Sequence, residues 1–376
     1  MKILIVAESL FPRVNGVSNS VQRCADYLSH EGHEVFVVGA GDGSQDIQTM
    51  EALGIEIFRT KYINLPSVPD YDLAAVTISK LMKIFSRIDP DVVHLASPFY
   101  LGWLAQRAAR RLGIPTVAIF QTDVAGFAGF YGMTASSKVS NWWSMRIHRN
   151  ADLNLVPSNA YAELFQINNI PNSIIWRRGV DALLFNPTKK SEALKCTWRS
   201  DNRIVVGYVG RLAPEKQIDR LVCFDTSRFK VVIIGDGPQR EQLEKLLPDA
   251  HFAGKLVGEN LASAMASLDI LVAPGEHETF CQVIQEAMAS GVPVVAPRKG
   301  GPVDLIDSGH TGFLYEPGDN SDLLKHLEIL AGDESLRIRF GVQARTHVES
   351  NSWESVFSEL VKHYESVLEN RMIRAS

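Results

Sequence analysis

The hydrophobic pattern alternates between short apolar runs and longer segments with helical spacing. Residues 2–8, KILIVAE, form a continuous apolar run of the kind found in parallel strands buried on both faces. A predicted helix over residues 18–31 follows, and a second apolar run, EVFVVGA, occupies residues 34–40. Further runs, with helices between them, lie at residues 91–97, 116–122 and 153–158. Strands that alternate with helices predict βαβ units and a doubly wound parallel sheet.

A polar stretch after Pro187 interrupts this pattern, and a second series of apolar runs then begins. Its members lie at residues 203–210, 230–237, 268–274 and 291–297. Because 376 residues are more than a typical single domain contains, we predict two α/β domains. The first spans residues 1–187 and the second 188–352, and residues 353–376 form a helix that crosses back to the N-terminal domain.

Charge and cysteine usage exclude several classes of protein. The net charge is −5, divided between +1 over residues 1–180 (16 Lys and Arg against 15 Asp and Glu) and −6 over the rest (22 against 28). A nucleic-acid-binding protein is normally more basic, so no nucleic-acid partner is expected. The four cysteines form no CxxC pair, which argues against a zinc site or a disulfide framework and favours the cytoplasm. No segment has the pattern of a signal peptide or a membrane span.

Two Rossmann-like domains that face each other create a cleft, and ligands bind such sheets at the carboxyl ends of the strands. The loop over residues 9–20, SLFPRVNGVSNS, follows the first strand and precedes a helix. Its Gly16 permits a close backbone approach to a ligand, and the helix start attracts anions. An ordinary turn with an N-cap explains the same pattern.

A second loop, GRLAPEK over residues 210–216, places Arg211 and Lys216 around a proline-containing turn. A guanidinium and an ammonium group together are able to neutralise a diphosphate without a metal ion. A solvated charged turn is the alternative. The GDG sequence at residues 235–237 lacks the third glycine of a dinucleotide fingerprint, so a plain strand-to-helix turn is the better interpretation.

Two carboxylates mark the segment that follows the strand at residues 268–274. Glu278 is expected at the start of a helix ended by Gly291, and Glu286 follows eight residues later. Eight helical residues span about 12 Å and return to nearly the same face, so both carboxylates are placed to address one extended ligand. The alternative is that Glu278 is a favourable charge at a helix start and Glu286 is solvated.

Taken together, these segments resemble the retaining family 4 glycosyltransferases of the GT-B fold, over essentially the whole chain and in the same order. ETFCQVIQE resembles the E-x7-E motif of that family, and GRLAPEK resembles its phosphate-binding loop. VNGVSNS, GDGP and GVPVVAPRKGGPVDLI also match. The resemblance implies an α/β GT-B fold in which two Rossmann-like doubly wound domains face across a cleft that binds a nucleotide sugar. It implies neither a metal ion nor another cofactor.

The resemblance also implies roles for individual residues. The residues expected to bind the donor are Gly16, Arg211, Lys216, Glu278, Phe280, Cys281, Gln282 and Glu286. Arg211 and Lys216 are expected to hold the diphosphate. Glu286 is expected to bind the ribose hydroxyls, and Glu278 the donor sugar. Gly16 would approach the diphosphate from the opposite domain.

The chain departs from the family pattern at two places near the reacting carbon. In FQTD, residues 120–123, Gln121 and Asp123 stand where many relatives carry histidines. Asp123 is therefore expected either to orient a sugar hydroxyl or to assist the acceptor as a base. It completes the predicted catalytic set with Arg211, Lys216 and Glu278. Cys281 stands where many relatives have glycine, and we interpret it as a backbone position rather than a nucleophile.

A narrower resemblance addresses the substrate. AESLFPRVNGVSNS, FQTDVAGFAGFYG and ETFCQ are similar to actinobacterial GDP-mannose-dependent α-mannosyltransferases of glycolipid synthesis. This implies transfer of mannose from GDP-mannose to a lipid-linked acceptor, such as a glucuronosyl-diacylglycerol or a phosphatidylinositol mannoside. One alternative is a UDP-sugar-dependent glucosyl or sulfoquinovosyl diacylglycerol glycosyltransferase. A nucleotide-sugar epimerase is the alternative from another class.

Two segments suggest contact with a membrane surface. Residues 136–150 mix Trp142 and Trp143 with Arg146 and Arg149, which suits a helix lying on an anionic surface. Residues 81–88, LMKIFSRI, show the same mixture. The alternative is that the tryptophans pack in the core while the cations face water. We expect a cytoplasmic protein, peripheral on the inner face of the plasma membrane.

Overall fold

The structure analysed is a computed structural model. It describes residues 1–8, 10, 16–41, 54–64, 72–96, 98–121, 123, 134–198 and 201–375. Much of the predicted ligand loop before Gly16, namely residues 9 and 11–15, lies outside the described residues, as does Thr122 of the FQTD segment.

The N-terminal half forms an eight-stranded sheet with the order β4-β3-β2-β1-β5-β6-β7-β8. The strands are β1 (Lys2–Ala7), β2 (Glu34–Ala40), β3 (Glu56–Asn64), β4 (Asp72–Ala75), β5 (Val92–Leu95), β6 (Thr116–Ile119), β7 (Leu153–Val156) and β8 (Ser173–Ile175). All neighbours pair in parallel except β3 and β4, which pair antiparallel. The sequence did not predict β3, β4 or β8, which are not continuous apolar runs. The strands predicted at 91–97, 116–122 and 153–158 end at Leu95, Ile119 and Val156 in the structure. Residues 97 and 122 lie outside the described residues.

Helices cover both faces of this sheet. They are α1 (Gly16–His30), α2 (Ile78–Ile88), α3 (Tyr100–Leu112), α4 (Thr134–Arg149) and α5 (Asn159–Ile167). Helices α2, α3 and α4 share one apolar core with the sheet, and α1 packs into the core on the other face. Helix α1 begins at Gly16, two residues before the start predicted at residue 18.

The C-terminal half forms a six-stranded parallel sheet with the order β11-β10-β9-β12-β13-β14. The strands are β9 (Ile204–Val209), β10 (Phe229–Ile234), β11 (His251–Gly254), β12 (Ile270–Val272), β13 (Val294–Pro297) and β14 (Gly312–Tyr315). The helices are α6 (Glu192–Trp198), α7 (Arg240–Leu246), α8 (Gly258–Ala266), α9 (Gln282–Ala289), α10 (Pro302–Leu305), α11 (Asn320–Gly332), α12 (Glu334–Val348) and α13 (Trp353–Ala375). The predicted class, α/β with two Rossmann-like doubly wound sheets, is confirmed.

The last helix, α13, packs against the N-terminal sheet. Phe357, Leu360 and Tyr364 are buried in the core that also contains Ile3 and Ile5 of β1. The chain thus crosses between the two sheets twice, and the crossings touch each other. Val180 N donates to Asn351 O at 2.8 Å. A Cβ atom at Gly179 would lie 2.4 Å from the backbone nitrogen of Trp353, so this close approach requires glycine.

Candidate active site

The loop that carries Arg211 is shaped by the backbone beneath it. It follows β9, and the hydroxyl of Tyr208 donates to the carbonyl oxygen of Arg211 at 2.8 Å. A Cβ atom at Gly235 would lie 1.8 Å from Gly210 O, and one at Gly237 would lie 2.4 Å from Leu212 O. The GDG glycines thus let the turn after β10 pack against the Arg211 loop. This supports their interpretation as a plain turn, while the Arg211 side chain is left exposed.

Lys216 ends a short 3₁₀ turn, Pro214–Lys216, and reaches across to Glu278. Its Nζ lies 2.6 Å from Glu278 Oε1, with side-chain exposures of 24% and 17%. Burial would lower the pKa of Lys216, but the charge and hydrogen bond of Glu278 outweigh burial and raise that pKa. Lys216 is therefore positively charged at neutral pH, and it lies at the carboxyl edge of the C-terminal sheet.

The segment that carries Glu278 is a loop rather than the start of a helix. Helix α9 begins at Gln282, and Cys281 precedes it with φ of 72° in the left-handed region. The prediction that Glu278 lies at the helix start is therefore wrong. The 12 Å separation argued for eight helical residues does not apply either, since the first four are not helical.

Two glycines explain why this loop is not helical. The backbone nitrogen of Gly301 donates to Glu278 O at 2.8 Å. A Cβ atom at Gly300 would lie 2.6 Å from Glu278 O, and one at Gly301 would lie 2.5 Å from the Phe280 backbone. The RKGG segment after β13 thus packs directly against residues 278–280. Its hydrogen bond occupies the carbonyl oxygen of Glu278, which in a helix would accept an intrahelical hydrogen bond. Phe280 is 2% exposed and Cys281 is 7% exposed, which anchors the loop in the core.

Glu286 lies within α9, half-buried at the cleft. Burial raises the pKa of Glu286 to about 7, against the opposing charges of Arg23 on α1 and Arg178 after β8. Cations of the N-terminal half therefore face a carboxylate of the C-terminal half. This contradicts the alternative that Glu286 is simply solvated.

Arg178 is a cleft residue that the sequence analysis missed. Its guanidinium donates to Gln121 Oε1 at 2.6 Å and to Gly16 O at 3.4 Å. Burial lowers the pKa of Arg178 to about 10, while Glu286 and Glu278 oppose that effect. The available signal was the second arginine of WRRGVD, which lies at the crossing between the two sheets.

Gln282, a predicted donor-binding residue, bonds to this crossing segment. Its Nε2 donates to Gly179 O at 2.9 Å, and the neighbouring Gln285 Nε2 donates to Arg178 O at 3.0 Å. The start of α9 is thus fastened to the backbone that joins the two halves. The role of Gln282 in donor binding stays a prediction.

Two loops from opposite halves meet in the cleft. Thr279 Oγ1 donates to Gln121 O at 3.0 Å, and Gln121 Nε2 donates to Ala96 O at 2.5 Å. Gln121 is thus held by contacts with Ala96 just after β5, with Arg178 and with the Glu278 loop. Asp123 lies two residues further and accepts a hydrogen bond from the hydroxyl of Tyr161 at 3.1 Å. The structure therefore brings Asp123 to the same cleft as the Glu278 loop.

A second contact crosses the rim of the cleft. Asn159, the first residue of α5, donates from its backbone nitrogen to Asp304 Oδ2 at 2.7 Å and from Nδ2 to Asp304 Oδ1 at 3.1 Å. Asp304 lies on α10 and acts as an N-terminal cap for a helix of the opposite half. Neither residue was predicted, because the contact depends on how the two halves meet.

Within the described part of the chain, no group of three or more His, Cys, Asp or Glu side chains is arranged to hold a metal ion. The charged side chains in the described part of the cleft include two sets of mixed sign, Lys216 with Glu278, and Glu286 with Arg23 and Arg178.

Solved structures with the same architecture define the class. The structure of HepE from Anabaena in complex with UDP-glucose aligns with a TM-score of 0.79 over 97% of this chain and 100% of that chain, at 20% identity. Sucrose-phosphate synthase from Thermosynechococcus elongatus aligns with a TM-score of 0.80 over 100% of both chains, at 19% identity. The fold is therefore the GT-B architecture of glycosyltransferases.

Sequence comparisons identify the family. The model "Glycosyltransferase Family 4" matches residues 14–182, and the model "Glycosyl transferases group 1" matches residues 191–347. A GDP-mannose-dependent alpha-mannosyltransferase of Mycolicibacterium smegmatis is 44% identical, with both chains covered completely. Sulfoquinovosyl transferase SQD2 of Arabidopsis thaliana is 33% identical over 95% of this chain and 72% of its own length. The chain belongs to the family 4 glycosyltransferases, and the resemblance read from its motifs is confirmed.

Proposed function

We propose that this glycosyltransferase moves mannose from GDP-mannose onto a lipid-linked acceptor with retention of configuration. The observation that carries the donor assignment is the full-length similarity to proteins named GDP-mannose-dependent alpha-mannosyltransferases, at 44% and 43% identity. The cleft supports it, because Arg211, Lys216, Glu278 and Glu286 all lie on loops or helices at the carboxyl ends of C-terminal strands, where such folds bind nucleotides.

The donor would bind mainly to the C-terminal domain. Arg211 and Lys216 would hold the diphosphate, with Lys216 exchanging its bond to Glu278 for phosphate oxygens. Glu286 would accept hydrogen bonds from the ribose hydroxyls, and Glu278, once released, would meet the sugar. The Gly16 segment would approach the diphosphate from the other domain.

The reaction forms a bond between the acceptor oxygen and the anomeric carbon, and it breaks the bond between that carbon and the diphosphate. The acceptor attacks from the face on which the diphosphate departs, and a leaving phosphate oxygen takes the acceptor proton. Lys216 and Arg211 stabilise the charge that grows on the diphosphate, so we propose that no metal ion is required. Transfer at an unchanged rate in excess EDTA is the expected result.

Asp123 is proposed to bind a sugar hydroxyl rather than to act as the general base. Its carboxylate is engaged by Tyr161, and the leaving diphosphate already supplies a proton acceptor. Gln121 is held by Arg178 and Ala96, so of the described residues Gln121 and Asp123 we propose Asp123 as the one that binds the sugar.

A donor panel tests the proposed function. Purified enzyme is incubated with GDP-mannose, UDP-glucose or UDP-sulfoquinovose, together with glucuronosyl-diacylglycerol or a phosphatidylinositol mannoside. Turnover of GDP-mannose with formation of a mannosylated lipid is expected. Preference for UDP-sulfoquinovose would instead favour the function named for the Arabidopsis relative. Conversion of a sugar nucleotide without any acceptor would favour an epimerase and contradict a transferase.

A basic surface on the N-terminal domain supports a lipid acceptor. Helices α2, α3 and α4 lie side by side and contain no acidic residue. The basic face comprises their exposed cations, which are Lys80, Lys83, Arg87, Arg107, Arg110, Arg111, Arg146 and Arg149. Trp142 is 56% exposed beside Arg146, whereas the ring of Trp143 packs at a tilt against that of Trp103. Basic side chains beside an exposed tryptophan are typical of surfaces that bind anionic membranes.

No helix among the described residues has the length and apolar character needed to cross a bilayer. We propose that the basic face holds the enzyme peripherally on an anionic membrane. Vesicle flotation tests this with vesicles of phosphatidylglycerol and of phosphatidylcholine. The variant Lys80→Gln/Lys83→Gln/Arg107→Gln should lose binding to phosphatidylglycerol. Lys325→Gln/Arg339→Gln, which removes exposed charge from the C-terminal domain, should keep it. Flotation that the first variant leaves unchanged would contradict the proposal.

A further inference from the structure

Tyr161 is a buried phenol at the cleft that no sequence motif indicated. It lies on α5, its side chain is 8% exposed, and its ring packs 4.9 Å from the ring of Phe120. Its hydroxyl donates to Asp123 Oδ2 at 3.1 Å. A rigid aromatic side chain on a helix therefore contacts the carboxylate that stands where many relatives carry histidine.

The electrostatics of this contact fix the direction of the hydrogen bond. Burial raises the pKa of Tyr161, and the charge of Asp123, their hydrogen bond and the charge of Glu278 raise it further. The phenol therefore stays protonated and acts as a donor to Asp123. The charge of Glu278 therefore acts on the same hydroxyl group that contacts Asp123.

We propose that Tyr161 is a positioning residue for sugar transfer, whose hydroxyl fixes Asp123 in the orientation in which its carboxylate binds a sugar hydroxyl. The inference rests on the proposed function, because this orientation has a task only when a sugar occupies the cleft. Asp123 lies on a loop, and its side chain has two rotatable bonds. A hydrogen bond to an ionised carboxylate is among the stronger ones and selects a single rotamer. Catalytic groups held in this way lose little entropy at the moment of reaction.

The helix that carries Tyr161 is itself fixed to the opposite domain. Its first residue, Asn159, donates two hydrogen bonds to Asp304, two positions before Tyr161 in the chain. The position of the phenol, and with it that of Asp123, is therefore defined when the two domains meet. The contact between Thr279 and Gln121 brings the Glu278 loop to the same place.

The variant Tyr161→Phe tests the role, because it removes the hydroxyl and keeps the ring against Phe120. We expect kcat to fall about 10- to 100-fold while the KM for GDP-mannose stays within about twofold. A matched control is Tyr27→Phe, which removes a phenol bonded to Ser358 and leaves a ring packed on Phe357. The control should keep the wild-type kcat, because the hydroxyl of Tyr27 connects α1 to α13 and contacts neither predicted catalytic carboxylate.

A double-mutant cycle with Asp123→Ala separates positioning from packing. If Tyr161 acts through Asp123, adding Tyr161→Phe to Asp123→Ala leaves kcat within about twofold of the Asp123→Ala value. Losses that multiply in the double variant would overturn the inference, as would a wild-type kcat for Tyr161→Phe. A wild-type kcat for Asp123→Ala would also overturn it, whereas the proposed transfer function fails only if the wild-type enzyme does not turn over GDP-mannose.

Discussion

Replacing Lys216 with methionine separates the stability of the cleft from its chemistry. Coulomb's law at an effective dielectric constant of about 20 gives an attraction of about 6 kcal/mol for charges 2.6 Å apart, but desolvation cancels most of it. Breaking fully buried pairs costs about 3–5 kcal/mol and exposed pairs contribute about 0.2–1 kcal/mol. With exposures of 24% and 17%, the Lys216–Glu278 pair lies between these limits, and we expect a loss of about 2 kcal/mol.

Calorimetry and steady-state kinetics measure the two effects. For a domain of this size, about 2 kcal/mol corresponds to a fall in Tm of about 4–8 °C. The loss of transition-state stabilisation should be larger, with kcat lowered about 100- to 1,000-fold well below the melting range.

The matched control is Lys195→Met. Lys195 Nζ lies 2.5 Å from Asp269 Oδ1 with exposures of 9% and 13%, and this pair joins α6 to the segment before β12. The control should lower Tm at least as much, yet leave kcat of the folded enzyme unchanged. If Lys216→Met lowers Tm and keeps the wild-type kcat, Lys216 does not stabilise the leaving diphosphate and the reasoning fails.

Three further predictions concern the same cleft. Because the pKa of Glu286 is about 7 and its ionised form is proposed to accept hydrogen bonds from the ribose hydroxyls, KM for the donor should fall as pH rises from about 6 to about 8, and Glu286→Gln should flatten this profile. In denaturant melts, the free energy of unfolding of Cys281→Gly should exceed that of Cys281→Ala by about 1 kcal/mol, because alanine retains the backbone strain at φ of 72°. Asp304→Ala should lower kcat about fivefold in steady-state assays and lower Tm by about 2–4 °C, since it removes a helix cap and both hydrogen bonds to Asn159 across the cleft; an unaltered kcat would exclude a role of this contact in catalysis.

The pH prediction has a counterpart in stability. A carboxyl whose pKa rises from 4.5 to about 7 on folding binds protons more tightly in the folded state. The contribution of Glu286 to the free energy of unfolding is therefore most favourable below about pH 4.5 and is lost as pH rises to about 7. A ligand that supplies hydrogen bonds to the ionised Glu286 should recover part of that loss.

The strands that precede the cleft loops could be predicted because each is a short, continuous apolar run that can be recognised without knowledge of distant residues. Runs such as IVVGYV in β9 are apolar throughout, which only a strand covered on both faces requires. The polar residues that directly follow these strands, among them Arg211, then had to lie at the carboxyl edge of the sheet. By contrast, β3 carries Arg59 and Lys61 among its apolar residues, so its continuous hydrogen bonding with β2 could not be read from an apolar run.

The start of α9 could not be predicted because a distant segment decides it. ETFCQVIQE has helical spacing throughout, yet Gly300 and Gly301 dock on its first residues and bond to the carbonyl of Glu278. Arg178 and Tyr161 were missed for a related reason, since each bonds to a residue distant in the sequence, Gln121 and Asp123 respectively. Side chains whose role depends on such long-range contacts leave no periodic signal in the sequence.

The pairing of charges in the cleft has a consequence for donor binding. Before the donor arrives, Lys216 is already neutralised by Glu278, and Glu286 faces Arg23 and Arg178. In the proposed mode of donor binding, these groups exchange partners: the diphosphate would bind Lys216, the ribose would bind Glu286, and Glu278 would be released next to the sugar. Because an existing ion pair must be broken, part of the attraction between lysine and phosphate is offset in the ground state. Charge that accumulates on the departing diphosphate would strengthen its attraction to Lys216 beyond the ground-state value. An interaction that is stronger in the transition state than in the ground state raises kcat rather than only lowering KM.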